Sequence, residues 1–400
     1  MTDTSAKKAL LGAPPSKKPV AAEALIAVAK TYGVSPFKQF GHQIKRMFGP
    51  KKTKMRSIEY YEYQLYRPEL TASDRLEFIG ADSNRVLNQS LSSQQGQIDG
   101  AIIEQKALFA ALMNGLGLSI TQLQAVVSHG PGFGKIKTLS SAAEVAEFLR
   151  TGAKYPVFGK PNEGSKSVGS AWFASFDEAT DQISFGNDQS HDVASLAEEI
   201  FKDYPEGYMF QDAVVQHQDM STLVGQSVGS LRMVTFRDGS DAQVLYALWK
   251  IPSPAAMSDN FWQDGSMLAH VDAHTGQVTE CRRGIGLKSE EVTTHPVSEQ
   301  PIVGFQLPHW DAVCQLVTAT HDVFPDLGVI GWDVGISQDG PVIIEGNLNP
   351  FHTLYQIATG RGVNNPDFVP VFDRIRFHKE ERIKAQAVAQ QEFLKRHTKT

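Results

Sequence analysis

The sequence predicts an α+β fold, and three features of the chain support this assignment. Two segments are typical of antiparallel hairpins: residues 229–251, with an Asp-Gly turn, and residues 331–350, with a Ser-Gln-Asp-Gly turn between two short apolar runs. Amphipathic helices such as 193–204 and 309–326 are mixed with these strands. Because hairpins are prominent, the pattern favours α+β over a doubly wound parallel sheet.

The overall composition is that of an ordinary globular protein. Its 400 residues are enough for two or more domains, and 41% of them are hydrophobic and 20% charged. A net charge of -6 gives no overall electrostatic case for nucleic acid. The two cysteines, Cys281 and Cys314, predict neither a disulfide framework nor a zinc site. No apolar run is long enough for a transmembrane segment, and a secretory signal is not expected, so we predict a cytoplasmic location.

The predicted domain organisation has five segments. They are a disordered tail at 1–20, an N-terminal helical region at 21–98, a first lobe at 99–215, a second lobe at 216–375 and a terminal helix at 376–400. Periodicity and capping signals place the individual elements. Helices are predicted at 21–31, 57–80, 140–152, 193–204, 309–326 and 373–400. A further helix is predicted within 99–120, ending at Gly115 or Gly117. Strands are predicted within 121–130, 155–161, 169–176, 207–215, 229–251 and 331–350.

The segment 38–56 is basic and contains no acidic residue. A solvated helix and loop would have this composition. An anion-facing surface for phosphates, an acidic polymer or lipid headgroups would have it too. The sequence leaves both interpretations open, and it predicts contact with a membrane surface only through this segment.

A lysine followed by a loop of glycine and serine indicates a phosphate site. A strand delivers Lys160 into the segment GKPNEGSKSVGS, which contains Gly164, Ser165 and Gly169. Glycines let a backbone approach phosphates closely, so that its N–H groups can bind them, and the lysine adds a point charge. The residue order is not that of a P-loop. An ordinary hairpin with a mobile tip remains the alternative.

Three oxygen-bearing side chains flank the apolar runs of the last hairpin. Asp333 precedes the first run, and Glu345 and Asn347 follow the second, so we expect all three at one end of the hairpin. Two carboxylates and an amide suit one or two Mg²⁺ ions that are shared with a nucleotide. The alternative is a hairpin whose polar ends face water. Trp332 and the apolar runs indicate partial burial, which weakens that alternative.

Arg232 lies in the predicted strand SLRMVTF. Alternation along the strand points its side chain away from Leu231 and Met233. An arginine that projects into a cleft would bind phosphate or carboxylate. A surface or interdomain salt bridge would place it in the same way.

The order of these motifs resembles that of the ATP-grasp superfamily. Along the chain come Lys160 with its loop, the strand MFQDAVV, Arg232, an Asp-Asn pair, and Asp333 with EGNLNP. More closely, the chain is similar to the sugar-transfer-associated ATP-grasp proteins, which are related to the α-L-glutamate ligase-like group. The similarity extends over residues 57–375. It rests on the phrases EYYEYQLY, SLRMVTF, SDNFWQDGSMLAHVDAHTG, HPVSEQPIVGFQLPHW and GVIGWDVGISQDGPVIIEGNLNP.

The resemblance implies an ATP-grasp fold, in which two α+β lobes clasp ATP. Lys160 would contact the α and β phosphates, and the loop 164–169 would close over the β and γ phosphates. Arg232 would meet the γ-phosphate or an acyl phosphate and, with Lys160, would be catalytic. Asp333, Glu345 and Asn347 would hold one or two Mg²⁺ ions, for which Mn²⁺ could substitute, with Glu345 as the bridge between two ions.

A second phosphate-facing lysine is also implied. Lys106 in EQKALF resembles the lysine of an early Asp-Lys helix in the family, although Gln105 stands where the family has Asp. Lys135 and Lys137 compete with Lys106 for this role.

The resemblance further implies an adenine-binding hinge and an acceptor side. The hinge would comprise Gln211, Asp212, Val214 and Val215, with Asp212 where the family more often has a Gln-Glu pair. Residues on the acceptor side would be Asp259, Asn260 and Asn349. His352 follows NLNP closely, which places it near substrate as well, although a packing or surface role is the favoured alternative.

The activity that the resemblance implies is ATP- and Mg²⁺-dependent ligation of a carboxylate to an amine through an acylphosphate. The substrates would be small or polymer-linked, and the family name points to cell-surface sugar or polymer synthesis. One alternative is an ATP-grasp kinase that phosphorylates a hydroxyl. Another is a nucleotide-binding regulatory module without turnover. The presence of Lys160, Asp333, Glu345 and Asn347 argues against a degenerate module.

Overall fold

Two seven-stranded sheets, built from successive parts of the chain, form the framework of the computed structural model. The structure describes residues 8–10, 21–48, 54–132, 134–162, 169–253, 256 and 261–397. Hairpins link many neighbouring strands, and helices cover the sheets. The predicted α+β class is therefore confirmed.

The first sheet has the strand order β2-β1-β7-β3-β4-β5-β6. Its strands are β1 Leu123–Val127, β2 Thr138–Leu139, β3 Val157–Pro161, β4 Ala171–Asp177, β5 Gln182–Phe185, β6 Ser190–Asp192 and β7 Tyr208–Asp212. β1 and β2 are parallel, whereas the other pairs are antiparallel. One face of this sheet buries side chains such as Val157, Tyr208 and Phe210. Alternation therefore turns Lys160, Met209 and Gln211 to the opposite face.

The second sheet has the order β12-β11-β10-β9-β8-β13-β14. Its strands are β8 Leu231–Phe236, β9 Gln243–Ile251, β10 Met267–Val271, β11 Val278–Arg283, β12 Glu290–Glu291, β13 Val329–Ser337 and β14 Gly340–Asn347. All pairs in it are antiparallel. Both faces of its centre are covered: Met233, Trp249 and Trp332 pack in one core, and Val234 and Leu248 pack in another. This double burial explains why every residue of β8 is buried, on whichever face its side chain lies.

Helices surround the two sheets. In the first part of the chain they are α1 Ala21–Tyr32, α2 Pro36–Met47, α3 Ser57–Glu62, α4 Ala72–Glu77, α5 Ala81–Leu91, α6 Gln94–Asp99, α7 Ala101–Glu104 and α8 Lys106–Gly115. The later helices are α9 Ala142–Glu147, α10 Val193–Asp203, α11 Gln218–Val224, α12 Trp310–Asp322, α13 Thr353–Thr359 and α14 Val369–His397. A π-helical turn at Phe148–Gly152 and a 3₁₀ turn at Gly286–Lys288 complete the helical elements. No helix in the described ranges combines the length and the apolar character that crossing a membrane requires.

Three predicted elements differ from the structure. The expected helix at 99–120 is broken, because Gln105 adopts φ −90° and ψ 82°, outside the helical region. The expected helix at 57–80 is short, since α3 ends at Glu62 and Gln64 has a positive φ of 54°. Its aromatic residues nevertheless pack together, as predicted. The expected strand 207–215 ends at Asp212.

The last hairpin is longer than its apolar runs suggested. β13 and β14 include Asp333, Glu345 and Asn347, which we expected beyond the strand ends. Charged residues inside a buried strand are tolerated when opposite charges neutralise them. Such partners surround Asp333.

Candidate active site

Arg232, Asp333 and Glu345 form one row across three neighbouring strands. Arg232 on β8 lies directly opposite Asp333 on β13, which lies opposite Glu345 on β14. Directly opposed side chains leave the same face of a sheet, with Cβ atoms about 5 Å apart. Leu231 and Met233 pack in the core on the other face, as alternation predicted.

The Asp333 carboxylate is buried between two cations. Arg232 donates hydrogen bonds to it from Nε to Oδ1 at 2.6 Å and from Nη2 to Oδ2 at 3.2 Å. Lys250 Nζ donates to Oδ2 at 2.9 Å. Burial alone would raise the pKa of Asp333, but the Arg232 and Lys250 charges outweigh it and hold this pKa well below its ordinary value. Asp333 is therefore ionised at neutral pH, and its charge in turn raises the pKa of Arg232.

Lys250 is a site residue that the sequence analysis missed. Backbone pairing sets Leu248 opposite Arg232, so Lys250, two residues further along β9, shares the face of Arg232. Its side chain is only 8% exposed. A lysine at the end of the apolar run LYALWKI was the available signal, because such a residue needs a buried partner.

A β-bulge in the last hairpin brings the two sheets together. Asp333 pairs with Glu345 and Val334 pairs with Ile343, so Ile344 is the extra residue on β14. The Ile344 carbonyl accepts a hydrogen bond from Lys160 Nζ, which is 3.4 Å away. Lys160 Nζ also lies 3.9 Å from Glu345 Oε2. Lys160 belongs to the first sheet, so the bulge connects the predicted phosphate lysine with the predicted metal ligands.

A small pocket opens between the sheets at this point. Its lining includes Lys106, Lys160, Gln211, Ile120 and Glu345. Lys106 is the first residue of α8, where the helix dipole disfavours a positive charge. Its Nζ donates to the Pro161 carbonyl at 3.2 Å, directly after Lys160. Two lysines from separate elements thus reach the same pocket.

The competing lysines lie elsewhere. Lys135 and Lys137 are exposed, and neither lines this pocket. Lys137 Nζ lies 5.0 Å from the centre of the Phe148 ring. Of the three lysines considered for the second phosphate contact, Lys106 has the geometry that fits.

The three predicted metal ligands lie within one hairpin, and their chemistry fits a hard cation. The Glu345 side chain is 32% exposed and faces the pocket. Asn347 has a buried Nδ2 with no hydrogen-bond partner among the described residues. This nitrogen is a donor, so a cation would be held by the amide Oδ1. Asp333 already accepts three hydrogen bonds, although a carboxylate has about four lone-pair sites. In the described ranges, no three His, Cys, Asp or Glu side chains form a complete metal site, so Mg²⁺ would need ligands from the substrate as well.

The predicted hinge connects the first sheet to the second. Gln211 is buried and lines the pocket, but the Asp212 carboxylate accepts a hydrogen bond from Gln124 Nε2 at 2.7 Å. Val214 packs against Gly335, where an added Cβ would lie 2.9 Å from it. Val215 is 56% exposed. Gln211 and Val214 therefore face the junction of the two sheets, whereas Asp212 is held by a neighbouring strand.

The phosphate loop and the Asp-Asn pair fall largely outside the description. Gly164, Ser165, Asp259 and Asn260 are not among the described residues. Gly169 ends the loop with a positive φ of 79°, and its carbonyl accepts a hydrogen bond from the Tyr208 hydroxyl at 2.9 Å. A Cβ added to Gly169 would lie 2.5 Å from the Tyr204 ring, so glycine is required here for both space and conformation.

His352 packs in the interior of the protein and is not open to a substrate. Its ring is fully buried, with Nδ1 2.9 Å from the Tyr246 hydroxyl and Nε2 2.9 Å from Asn88 Oδ1. Burial lowers the pKa of His352 to about 3, so the ring is neutral. A direct substrate contact by His352 would require this network to open. Asn349 is exposed and has no such restriction.

Solved structures with detectable similarity are distant from this chain. The D-alanine-D-alanine ligase from Coxiella burnetii is 10% identical, with 78% of this chain and 68% of that chain covered and a TM-score of 0.43. The D-alanine-D-alanine ligase from Bacillus anthracis complexed with ATP is 11% identical, with 74% and 71% covered and a TM-score of 0.39. At these TM-scores the solved structures carry no argument about function. No curated protein sequence matches significantly.

The family comparison is decisive because it covers most of the chain. The model for the sugar-transfer associated ATP-grasp family matches residues 94–367. This range includes both sheets, the pocket and every predicted nucleotide and metal residue. The chain therefore belongs to the sugar-transfer associated ATP-grasp family.

Proposed function

We propose that this protein is an ATP- and Mg²⁺-dependent ligase that joins a carboxylate to an amine through an acylphosphate. The observation that carries the proposal is the convergence of Lys106 and Lys160 on a pocket that ends at Glu345. A pocket with two lysines beside the Glu345 carboxylate suits a polyphosphate with its cation. Membership of an ATP-grasp family supports ATP as this polyphosphate.

The positions of the individual residues support a separate role for each. Lys106 and Lys160 bind the phosphates as point charges, and Gln211 with Val214 contacts the adenine side. The bidentate pairing with Asp333 fixes the orientation of Arg232, so little reorganisation is needed when charge develops nearby. Lys250 keeps Asp333 ionised and adds a further positive charge. Glu345, Asn347 and Asp333 would hold Mg²⁺, which neutralises phosphate charge and polarises the transferred group.

The reaction proceeds in two steps that need no covalent attachment to the protein. A substrate carboxylate oxygen attacks the γ-phosphorus of ATP, the bond to the β-phosphate oxygen breaks, and ADP leaves. An amine then attacks the acyl carbon, the bond to the phosphate oxygen breaks, phosphate leaves, and the amine loses one proton. The protein contributes by positioning and by positive charge. Asp259, Asn260 and Asn349 are proposed for the acceptor side.

The family description supports a proposal for the substrate class. Its association with sugar transfer makes a carboxylate or amine on a cell-surface sugar or polymer the first candidate. The test is ATP turnover with Mg²⁺ against paired pools of such carboxylates and amines. We expect ADP and free phosphate only when both an acid and an amine are present. ADP with a phosphorylated product and no free phosphate would instead identify a kinase, and nucleotide binding without turnover across the pools would favour a regulatory module.

A further inference from the structure

Helix α2 buries its polar side and exposes its apolar side, which is the reverse of an ordinary surface helix. Its polar residues Gln39, Gln43 and Arg46 are buried, with exposed fractions of 7% or less. Its apolar residues face outward instead. Surface helices of globular proteins normally bury the apolar side. The reversed arrangement therefore leaves an apolar surface that nothing in the described chain covers.

Hydrogen bonds hold the helix in this orientation. Gln39 Nε2 donates to the Val34 carbonyl at 2.7 Å, and its Oε1 accepts from the Tyr61 hydroxyl at 3.0 Å. Gln43 Oε1 accepts from the Ser57 hydroxyl at 2.5 Å. Arg46 Nη1 donates to the buried Phe78 carbonyl. Rotating α2 to bury its apolar side would leave these polar groups unpaired, which is costly.

The outward side carries large apolar side chains in a single stripe. Phe37 is 91% exposed, Phe40 57%, Ile44 39% and Phe48 81%. Their spacings of three and four residues keep them on one side of a helix. Phe37 and Phe48 are the two most exposed large hydrophobic side chains in the described part of the chain. We call the four residues the α2 apolar stripe.

Charge identifies the surface that this stripe fits. Between Lys38 and Arg56 the sequence has seven lysines and arginines and no acidic residue. Arg46 is buried on the inner side of α2, whereas Lys38, Lys54 and Arg56 are exposed. An anionic lipid surface satisfies both features, because its headgroups attract the basic residues and its acyl boundary accepts the phenylalanines. A soluble acidic polymer would leave the phenylalanines in water. A second copy, related by two-fold symmetry, would bring two basic segments together, which repel each other.

We propose that α2 is an interfacial helix that docks the protein on an anionic membrane surface through the α2 apolar stripe and exposed basic side chains such as Lys38, Lys54 and Arg56. The stripe lies in the N-terminal helical region, outside the family-matched range. The proposal is independent of the ligase reaction. It would bring the ATP pocket to acceptors at a membrane surface.

The experiment is co-sedimentation of the full chain with vesicles. One set contains equal parts of phosphatidylcholine and phosphatidylglycerol, and the other contains phosphatidylcholine alone. We expect binding to the anionic vesicles that weakens as salt is raised. The double variant Phe37→Ser with Phe48→Ser should reduce the partition coefficient by about tenfold or more, because each phenylalanine loses its burial in the acyl boundary.

A matched control separates docking from general stickiness. Phe377 and Phe393 on α14 are 59% and 58% exposed, so the double variant Phe377→Ser with Phe393→Ser removes two exposed rings elsewhere. We expect its partition coefficient to be unchanged. Equal losses in both double variants, or no binding of the wild-type chain to anionic vesicles, would overturn the proposal. A dimer in light scattering that the Phe37→Ser, Phe48→Ser variant abolishes would overturn it too, because a second copy would then cover the stripe.

Discussion

Arg232 and Asp333 lie 101 residues apart in sequence and form a bidentate ion pair, in which the guanidinium Nε and the carboxylate Oδ1 are 2.6 Å apart. Both side chains are less than 10% exposed. Lys250 binds the same carboxylate, so one negative charge is shared by two buried positive charges. Glu345 on the next strand faces this cluster. The electrostatic balance of the site therefore depends on Asp333.

Replacing Asp333 by Asn should strongly destabilise the fold. The change leaves Arg232 and Lys250 buried without their shared counter-charge, and the loss of one partner of a buried ion pair typically costs about 3–5 kcal/mol. Urea unfolding measures the free-energy difference. The control is Asp322→Asn, which breaks the more exposed pair with Arg237 and should cost at most about 1 kcal/mol. Equal losses in the two variants would contradict the role given to the buried cluster.

Replacing Lys160 by Ala should weaken ATP binding by about tenfold to a hundredfold. A charge-assisted bond to a phosphate contributes about 1.5–3 kcal/mol, and the exposed fraction of Lys160 is small enough to limit solvent screening. Lys106→Ala should act in the same direction. Isothermal titration calorimetry measures the dissociation constants. Exposed Lys154, near the start of β3, is the control, because Lys154→Ala should bind ATP like the wild type. Unchanged affinity in both pocket variants would exclude the phosphate assignment.

Replacing Glu345 by Gln should reduce the rate of ATP turnover by about a hundredfold or more, while the protein remains folded. The substitution keeps the size of the side chain but removes the charge that Mg²⁺ requires. Steady-state ADP release gives the rate, and circular dichroism checks the fold. Asp339→Asn in the exposed turn of the same hairpin removes one charge at a distance and should leave turnover unchanged. An active Glu345→Gln enzyme with the wild-type Mg²⁺ requirement would refute the metal assignment.

Acid should destabilise the protein through buried His321. Its Nε2 lies 2.8 Å from the Leu327 carbonyl and must carry the proton, so Nδ1, 2.7 Å from Thr235 Oγ1, accepts from that hydroxyl. Burial lowers the pKa of His321 from 6.5 to about 4. Since the unfolded chain takes up the proton first, the stability that neutral His321 contributes is complete above pH 6.5 and is lost as the pH falls towards 4.

Neutral His321 contributes about 3 kcal/mol to the free energy of unfolding, and this contribution is lost between pH 6.5 and about 4. Urea unfolding at several pH values gives the free energy of unfolding as a function of pH. Below pH 6.5 this free energy should fall less steeply for His321→Asn than for the wild type. His397→Asn changes an exposed histidine near the end of α14 and should keep the wild-type slope. Identical slopes in all three proteins would rule out His321 as the group responsible.

The sequence was most informative where chemistry and periodicity coincide. Strand alternation correctly turned Arg232 away from Leu231 and Met233, and the aromatic spacing before residue 80 correctly predicted a packed layer. Element lengths were less predictable. The hairpin extends through Asp333 and Glu345 because partners from other strands neutralise charges that otherwise mark a strand end.

The sequence by itself determined the α+β class and the family, together with the residue types that we propose for phosphate and metal binding. These properties depend on local pattern and on the order of motifs along the chain. Only the tertiary structure decided that Lys250 shares Asp333, that His352 is enclosed and that α2 turns its phenylalanines outward. Each of these outcomes depends on contacts between residues far apart in sequence. Periodicity defines the two sides of a strand or helix, but the packing of distant elements decides which side is buried.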